Sequence, residues 1–322
     1  MATKKQVFSE KISIAPMLDW TDRHFRYFMR LITQHATLYT EMIAAPALIL
    51  GKRDQLLQYN PEEHPVILQI GGSAPKQMAL CAKMAKDYGY NGVNINAGCP
   101  SSRVQSGRFG AVLMKSPELV AECVAEMKAS SDLPVSVKTR IALEDTQDDF
   151  QALLHFADLV CQAGCSHLIV HARRAKLNWS PEDNRKRLPL DYEKVYRLKK
   201  SFPDMPISIN GNILTLDEAE NHLQHVDGVM IGRAAYGNPY SMKDIDHRFY
   251  NDNHPIPSRI EILEQMIPYM QKNEQYLNVI LPHLMGLFHT TPVSKTYKQT
   301  LNNRSLENTI SFLNSLKGSQ SL

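Results

Sequence analysis

The segment NINAGCPSSRVQSGRFGAVLMK, residues 94–115, holds one cysteine, Cys99, between Gly98 and Pro100. A thiol with a reference pKa of about 8.5 is mostly protonated at neutral pH. It can act as a general acid, or as a base or nucleophile where neighbours depress that value. Gly98 and Pro100 constrain the turn, as a proton donor with one fixed position requires. Lys138, inside VSVKTRI, is the second pointed residue. A buried lysine costs desolvation unless an anion or electron-rich ring compensates. Its chemistry fits either a Schiff base or a place beside the pyrimidine end of a flavin, stabilising negative charge there. Gln69 offers a donor and an acceptor for an imide edge, and His171 closes the segment HLIVHAR. The turns Asn210–Gly211–Asn212 and Gly232–Arg233 carry backbone N–H groups suited to a phosphate.

These residues sit at the ends of apolar segments rich in Val and Ile, at 12–18, 38–43, 66–72, 93–98, 134–141, 167–173, 206–211 and 228–233. Amphipathic stretches with helical spacing lie between them, such as 75–89 and 116–131. Eight alternations of strand and helix predict a closed (β/α)8 TIM barrel, whose strand ends converge on one site. An open dinucleotide-binding sheet would show GxGxxG after an early strand, and none is present. Residues 1–245 are expected to form this catalytic barrel. A polar linker is expected at 240–257, an all-helical C-terminal domain at 246–318 and a disordered tail at 319–322.

The 322 residues suffice for a sizeable core, and no apolar run reaches a membrane-spanning length. The N-terminus lacks a secretory apolar region, so a cytoplasmic protein is expected, with a monomer as the default. The five cysteines include no CxxC pair, which predicts reduced thiols and no metal site. The net charge of +3 is unevenly spread. Residues 171–200 hold ten Lys or Arg against four Asp or Glu, whereas 142–158 hold five carboxylates and no basic residue. The first stretch is either a solvated face or a surface that steers a polyanion.

The motifs APMLDWTDRHFR (15–26), YTEM (39–42), QIGGS (69–73), NINAGCPSSRVQSGRFGAVLM (94–114), VKTRI (137–141), HAR (171–173), NGN (210–212) and IGRAAYGNP (231–239) occur in order along the chain. Together they resemble the tRNA-dihydrouridine synthases, and residues 179–196 are most similar to the A subfamily. The resemblance implies an FMN-dependent enzyme that reduces the C5=C6 bond of D-loop uridines 20 and 20a, with NADPH or NADH as reductant. It implies flavin contacts at Pro16, Met17, Leu18, Gln69, Lys138, His171, Asn210, Gly211, Asn212, Gly232 and Arg233. Cys99 then takes the role of proton donor, and Asn96, Arg108, Asn184, Arg187, Lys295 and Lys298 those of tRNA contacts. Thr139 stands where the family often has cysteine. An FMN barrel acting on a free pyrimidine, similar to the dihydroorotate dehydrogenases, accounts equally for the flavin residues but not for the basic stretch or the helical domain. A lysine Schiff-base aldolase would use Lys138 without Cys99, and a non-catalytic tRNA-binding protein would need neither.

Overall fold

The computed structural model describes residues 10–318. Nine parallel strands form its sheet: β1 Ile12–Ile14, β2 Thr37–Tyr39, β3 Ile43–Ala44, β4 Val66–Gly71, β5 Gly92–Ala97, β6 Val135–Arg140, β7 His167–His171, β8 Ile207–Asn210 and β9 Gly228–Ile231. Pairing runs β1–β2–β4–β5–β6–β7–β8–β9 and returns to β1, so eight strands close a barrel. The two-residue β3 is an extra strand on β4. The expected (β/α)8 barrel is therefore present, with strands shorter than the apolar runs. In the first run, Pro16 and the turn at Met17 end the pairing early, and the Met17 N–H donates to Thr21 Oγ1 at 2.9 Å.

Strand alternation sorts side chains between two cores. Outward residues such as Leu68, Val93, Ile95, Val137 and Val170 join the large apolar layer beneath the helices. Inward, a small cluster of Ala15, Tyr39, Ile67, Ile169 and Met230 fills the barrel waist. Polar side chains occupy the remaining interior, as in the His167 to Ser208 contact of 2.8 Å. The expected helices at 75–89 and 116–131 form as Pro75–Asp87 and Pro117–Ser130, each starting on proline at its first position.

The segment read as a polar linker is largely structured. It contains the helix Ile245–Tyr250, whose Ile245 and Phe249 are buried, and its Tyr250 hydroxyl accepts from the Ile12 N–H at 3.1 Å. Fully buried Asp246 accepts from Thr33 Oγ1 at 2.6 Å and from the His35 N–H at 3.1 Å. Charged neighbours in IDHRFY conceal a one-sided apolar pair from a reading by composition. Beyond it, the helices Arg259–Lys272, Leu277–Leu284, Ser294–Asn302 and Leu306–Gly318 follow without a strand. The first two dock on the helix Arg23–Arg30, where Tyr27 stacks on Tyr269 at 4.0 Å and His24 Nδ1 meets the Tyr269 hydroxyl at 2.7 Å, and the last two pack on the first two and on each other. The expected disordered tail, 319–322, lies outside the described residues. Among those residues, no helix is long and apolar enough to cross a membrane.

Candidate active site

The strand register gathers the residues expected to do chemistry at one end of the barrel. Gln69 lies opposite Asn94, Asn96 opposite Lys138, Arg140 opposite His171, and His171 opposite Asn210. The inward amides form a chain across β4, β5 and β6. Asn96 Nδ2 donates to Gln69 Oε1 at 2.9 Å, Gln69 Nε2 to Asn94 Oδ1 at 2.8 Å, and Asn94 Nδ2 to Ser136 Oγ at 2.9 Å. Buried amides linked in this way hold one another in fixed orientations. Gln69 is only 1% exposed and is bonded at both ends, so one remaining N–H and one lone pair are all it can offer a ligand.

Cys99 stands at the end of this chain. Asn96 Oδ1 accepts from the backbone N–H of Gly98 at 3.2 Å and of Cys99 at 3.0 Å. Arg140 Nε donates to the Gly98 carbonyl at 2.8 Å from the opposite side. The Cys99 carbonyl accepts from the Ala111 N–H at 2.8 Å, where Gly110 has φ +78°. A Cβ at Gly110 would lie 2.6 Å from the Cys99 carbonyl oxygen, so the loop beneath Cys99 needs glycine there. Gln105 Nε2 donates to the carbonyls of Pro100 and Leu177, tying this loop to the one after β7. Burial pushes the Cys81, Cys123 and Cys165 thiols up to about 12. These are core side chains, whereas Cys99 is half-exposed at the mouth.

Lys138 Nζ has one hydrogen-bond partner, Asn210 Oδ1 at 3.1 Å, and no carboxylate beside it among the described residues. Burial, with Arg140 alongside, lowers its pKa to about 7. Burial and the neighbouring Arg140 and Lys138 hold His171 well below its usual range, so its imidazole is neutral. Gly211 has φ +135°, and a Cβ there would meet the His171 ring at 3.1 Å. Asn212, at φ +53°, accepts from Arg233 at 3.4 Å. Gly232 brings the end of β9 beside Met17, whose Sδ would lie 3.6 Å from a Cβ there. Pro16 and Met17 are half-buried and Leu18 is 57% exposed, so this turn presents an apolar lip to the mouth.

The tRNA contacts expected from sequence divide into two groups. Arg108 is exposed on the loop after Cys99, Arg187 is exposed at the end of the helix Pro181–Arg187, and Lys295 and Lys298 share the exposed face of the helix Ser294–Asn302. Asn184 must be corrected, because it is fully buried. Its Nδ2 donates to the carbonyls of Lys176, Trp179 and Ser180, and its Oδ1 accepts from the Lys176 N–H at 2.7 Å. Asn184 therefore shapes the loop and presents no atom to a partner. The basic excess of 171–200 is also smaller than its count. The acidic stretch folds against it, with Glu144 on Lys176 at 2.7 Å and Asp149 on Arg174 at 2.7 Å and Lys194 at 2.9 Å.

Four arginines without a carboxylate ion-pair partner among the described residues lie close enough to repel one another: Arg140, Arg173, Arg185 and Arg233. Arg173 donates to the carbonyls of Arg185 and Leu188, yet its Nε and that of Arg185 are buried without a hydrogen-bond partner. Burial lowers Arg140 to about 10, and the repulsion of Arg173 and Arg185 adds to the effect. Such a cluster concentrates positive charge that attracts anions. Arg185 does not stand out in the sequence, where it is one of three cations in NRKR. Only helical spacing from Pro181 could have shown that it points away from Lys186 and Arg187.

A family model for dihydrouridine synthase (Dus) matches residues 13–317, which takes in the C-terminal helices as well as the barrel. The chain belongs to the dihydrouridine synthase family. It is 49% identical over 299 residues to the tRNA-dihydrouridine(20/20a) synthase of Synechocystis sp., covering 92% of this chain and 89% of that protein. It is 50% identical over 300 residues to the tRNA-dihydrouridine(20/20a) synthase of Shewanella oneidensis, with the same coverage of 92% and 89%. Among solved structures, an old yellow enzyme homologue from Zymomonas mobilis shares the fold with TM-score 0.53 at 14% identity, covering 77% of this chain and 90% of that one. A 2-naphthoyl-CoA reductase complex does so with TM-score 0.58 at 13% identity, covering 74% and 50%. Membership of the dihydrouridine synthases, running through the helical region, sets aside the free-pyrimidine dehydrogenase and aldolase readings.

Proposed function

We propose that this dihydrouridine synthase reduces the C5=C6 bond of uridines 20 and 20a in the D loop of tRNA, in the cytoplasm, with Cys99 as proton donor. The observation that carries the reading is the clamp on Cys99. Asn96 and Arg140 grip the turn from two sides, and Asn96 lies opposite Lys138 in the register.

The residues fit FMN. Lys138 is a half-buried cation without a carboxylate among the described residues, Pro16, Met17 and Leu18 form an apolar lip, and the turns at Gly211–Asn212 and Gly232–Arg233 leave N–H groups and a guanidinium for a phosphate. When bound and reduced by NADPH, FMN would supply the hydride that adds to C6 of the uracil. Lys138 would help to hold the flavin, and its positive charge would favour the reduced, anionic form. Cys99 gives its thiol proton to C5, so hydride and proton complete the reduction of one double bond. The clamp keeps that proton at one place instead of letting the turn sample several. Arg108, Arg187, Lys295 and Lys298 hold the RNA backbone and offset the cost of drawing the uridine out of its loop. The arginine group at the mouth takes a nearby phosphate.

The test separates two half-reactions. The flavin-loaded protein is reduced anaerobically with NADPH, and reoxidation is followed on adding unmodified tRNA or, separately, free uridine or orotate. The expected result is reoxidation by tRNA alone. Cys99→Ala is expected to be reduced by NADPH near the wild-type rate and to lose two or more orders of magnitude, roughly, in reoxidation by tRNA. Equal losses in both steps would remove Cys99 from proton transfer, and reoxidation by a free pyrimidine with tRNA inert would overturn the reading.

A further inference from the structure

The barrel mouth is chemically lopsided. The arginines lie at the β6 to β9 side, whereas the β1 and β2 ends open into a second cavity of about 500 Å³, bounded on its far side by the helix Leu277–Leu284. Asp19, Asp22, Glu41, Trp20, Tyr236 and His283 are among its lining residues, and no lysine or arginine is. Trp20 stacks on Tyr236 with ring centres 4.4 Å apart and planes 9° from parallel. Tyr236 is in turn backed by Phe25 at 5.2 Å. The indole thus ends an aromatic column rooted in the core, and it remains 36% exposed although one face is covered. An exposed indole braced in this way is a stacking surface for a planar ring.

The carboxylates beside it are acceptors, and on the far wall Asn278 accepts from Arg304 at 3.2 Å. Asp22 caps the helix Arg23–Arg30 and pairs with His283 Nε2 at 3.1 Å, so it is already engaged. Glu41 is different: Oε1 accepts from the Asp19 N–H, while Oε2 has no partner among the described residues. Asp19 is exposed at φ +64°. A phosphate is repelled here, and a ring with donors on its edge is attracted. Of the four RNA bases, guanine alone presents two adjacent donors, N1–H and the N2 amine, which match the two oxygens of a carboxylate. Uracil offers one donor between two acceptors, and adenine and cytosine pair their amine with a ring acceptor.

We propose that this cavity is a second base-binding subsite, in which a guanine of the substrate tRNA close to the target uridine stacks on Trp20 and donates its Watson–Crick edge to Glu41. The inference rests on the tRNA reading given above. Trp20 lies two residues beyond the Leu18 lip, so the subsite and the lip belong to the same turn after β1. It complements the phosphate sites: the arginine side takes the backbone, and the acidic aromatic side reads a base.

The experiment measures binding of unmodified tRNA transcripts to the flavin-loaded full chain. Guanosines flanking the target are replaced singly by inosine, which lacks only the N2 amine. In the wild type, one position is expected to lose about tenfold in affinity, as for a hydrogen bond to a charged group. Glu41→Gln keeps one oxygen for the Asp19 N–H but turns an amide N–H donor toward the base, and it should lose that discrimination. Trp20→Ala should weaken every transcript by roughly tenfold, and Trp20→Phe should recover most of the loss. A wild type indifferent to all inosine positions, or an inosine penalty unchanged in Glu41→Gln, overturns the proposal. Slower flavin reduction by NADPH in Trp20→Ala with unchanged tRNA binding would also overturn it, by assigning the surface to the nicotinamide ring. A wild type that binds no transcript fails the tRNA reading itself, a pattern distinct from binding without guanine preference.

Discussion

Asn96 Oδ1 accepts the backbone N–H of Cys99 at 3.0 Å while its Nδ2 donates to Gln69, so one amide couples the thiol's turn to the barrel interior. Asn96→Ala removes these bonds and the one from the Gly98 N–H, leaving the turn held only through its carbonyls, by Arg140, Gln105 and the Ala111 N–H. The thiol then samples positions away from C5. Flavin content should be unchanged and uridine reduction should fall by roughly tenfold to a hundredfold, as a small misplacement of a reacting group does. Reoxidation of the reduced protein by tRNA checks this, and a wild-type rate would mean that Asn96 does not position the acid.

Lys138 sets a pH dependence on flavin binding. In the free protein its pKa is lowered to about 7 by burial, with Arg140 adding to the effect. Bound flavin favours the charged ammonium and so raises that value. Binding therefore takes up a proton once the pH exceeds about 7, and affinity should decline as pH rises from there until the raised pKa is passed. Below about 7 the lysine is charged in both states and the dependence vanishes. Titration of the apoprotein with FMN across this range checks the sign, and Lys138→Met should bind more weakly and flatten the profile.

Asn184 should behave as a structural residue. Asn184→Ala strands the Lys176 N–H and the Trp179 carbonyl, while the Lys176 and Ser180 carbonyls keep backbone donors, at a cost of about 1–3 kcal/mol for the unpaired buried groups. A lower Tm is expected, together with weaker tRNA binding through the disturbed loop. Weakened tRNA binding at an unchanged Tm would restore a direct contact.

The exposed cations should differ in a measurable way. Lys295 and Lys298 have no carboxylate partner among the described residues, whereas Arg187 is 3.2 Å from Asp183 and lies over the Trp179 ring at 5.2 Å. Removing one cation from a phosphate should reduce the slope of log affinity against log salt by roughly 0.7–0.9. Lys295→Glu with Lys298→Glu should therefore flatten the dependence more than Arg187→Glu does, because the charge of Arg187 is already partly neutralised. Equal slopes in all three proteins would place these residues off the interface.

The eight-fold alternation, the helices that begin on Pro75 and Pro117, and the residue types at the strand ends were legible in the sequence, because apolar periodicity and local backbone restrictions are properties of neighbouring residues. Cys99 was legible too, since its Gly and Pro neighbours are adjacent in the chain. Burial and partnership emerge only on folding, since they depend on residues distant in sequence. Asn184 has the chemistry of a contact residue and spends it inside a loop. Glu144 and Asp149 cancel cations that composition counts as free. Arg140 reaches the Gly98 carbonyl through strand register, and Trp20 finds Tyr236 only because β9 closes against β1. Periodicity reports which face of an element is apolar. Which other element meets that face is fixed by barrel closure, and the electrostatics of the mouth follow from that meeting.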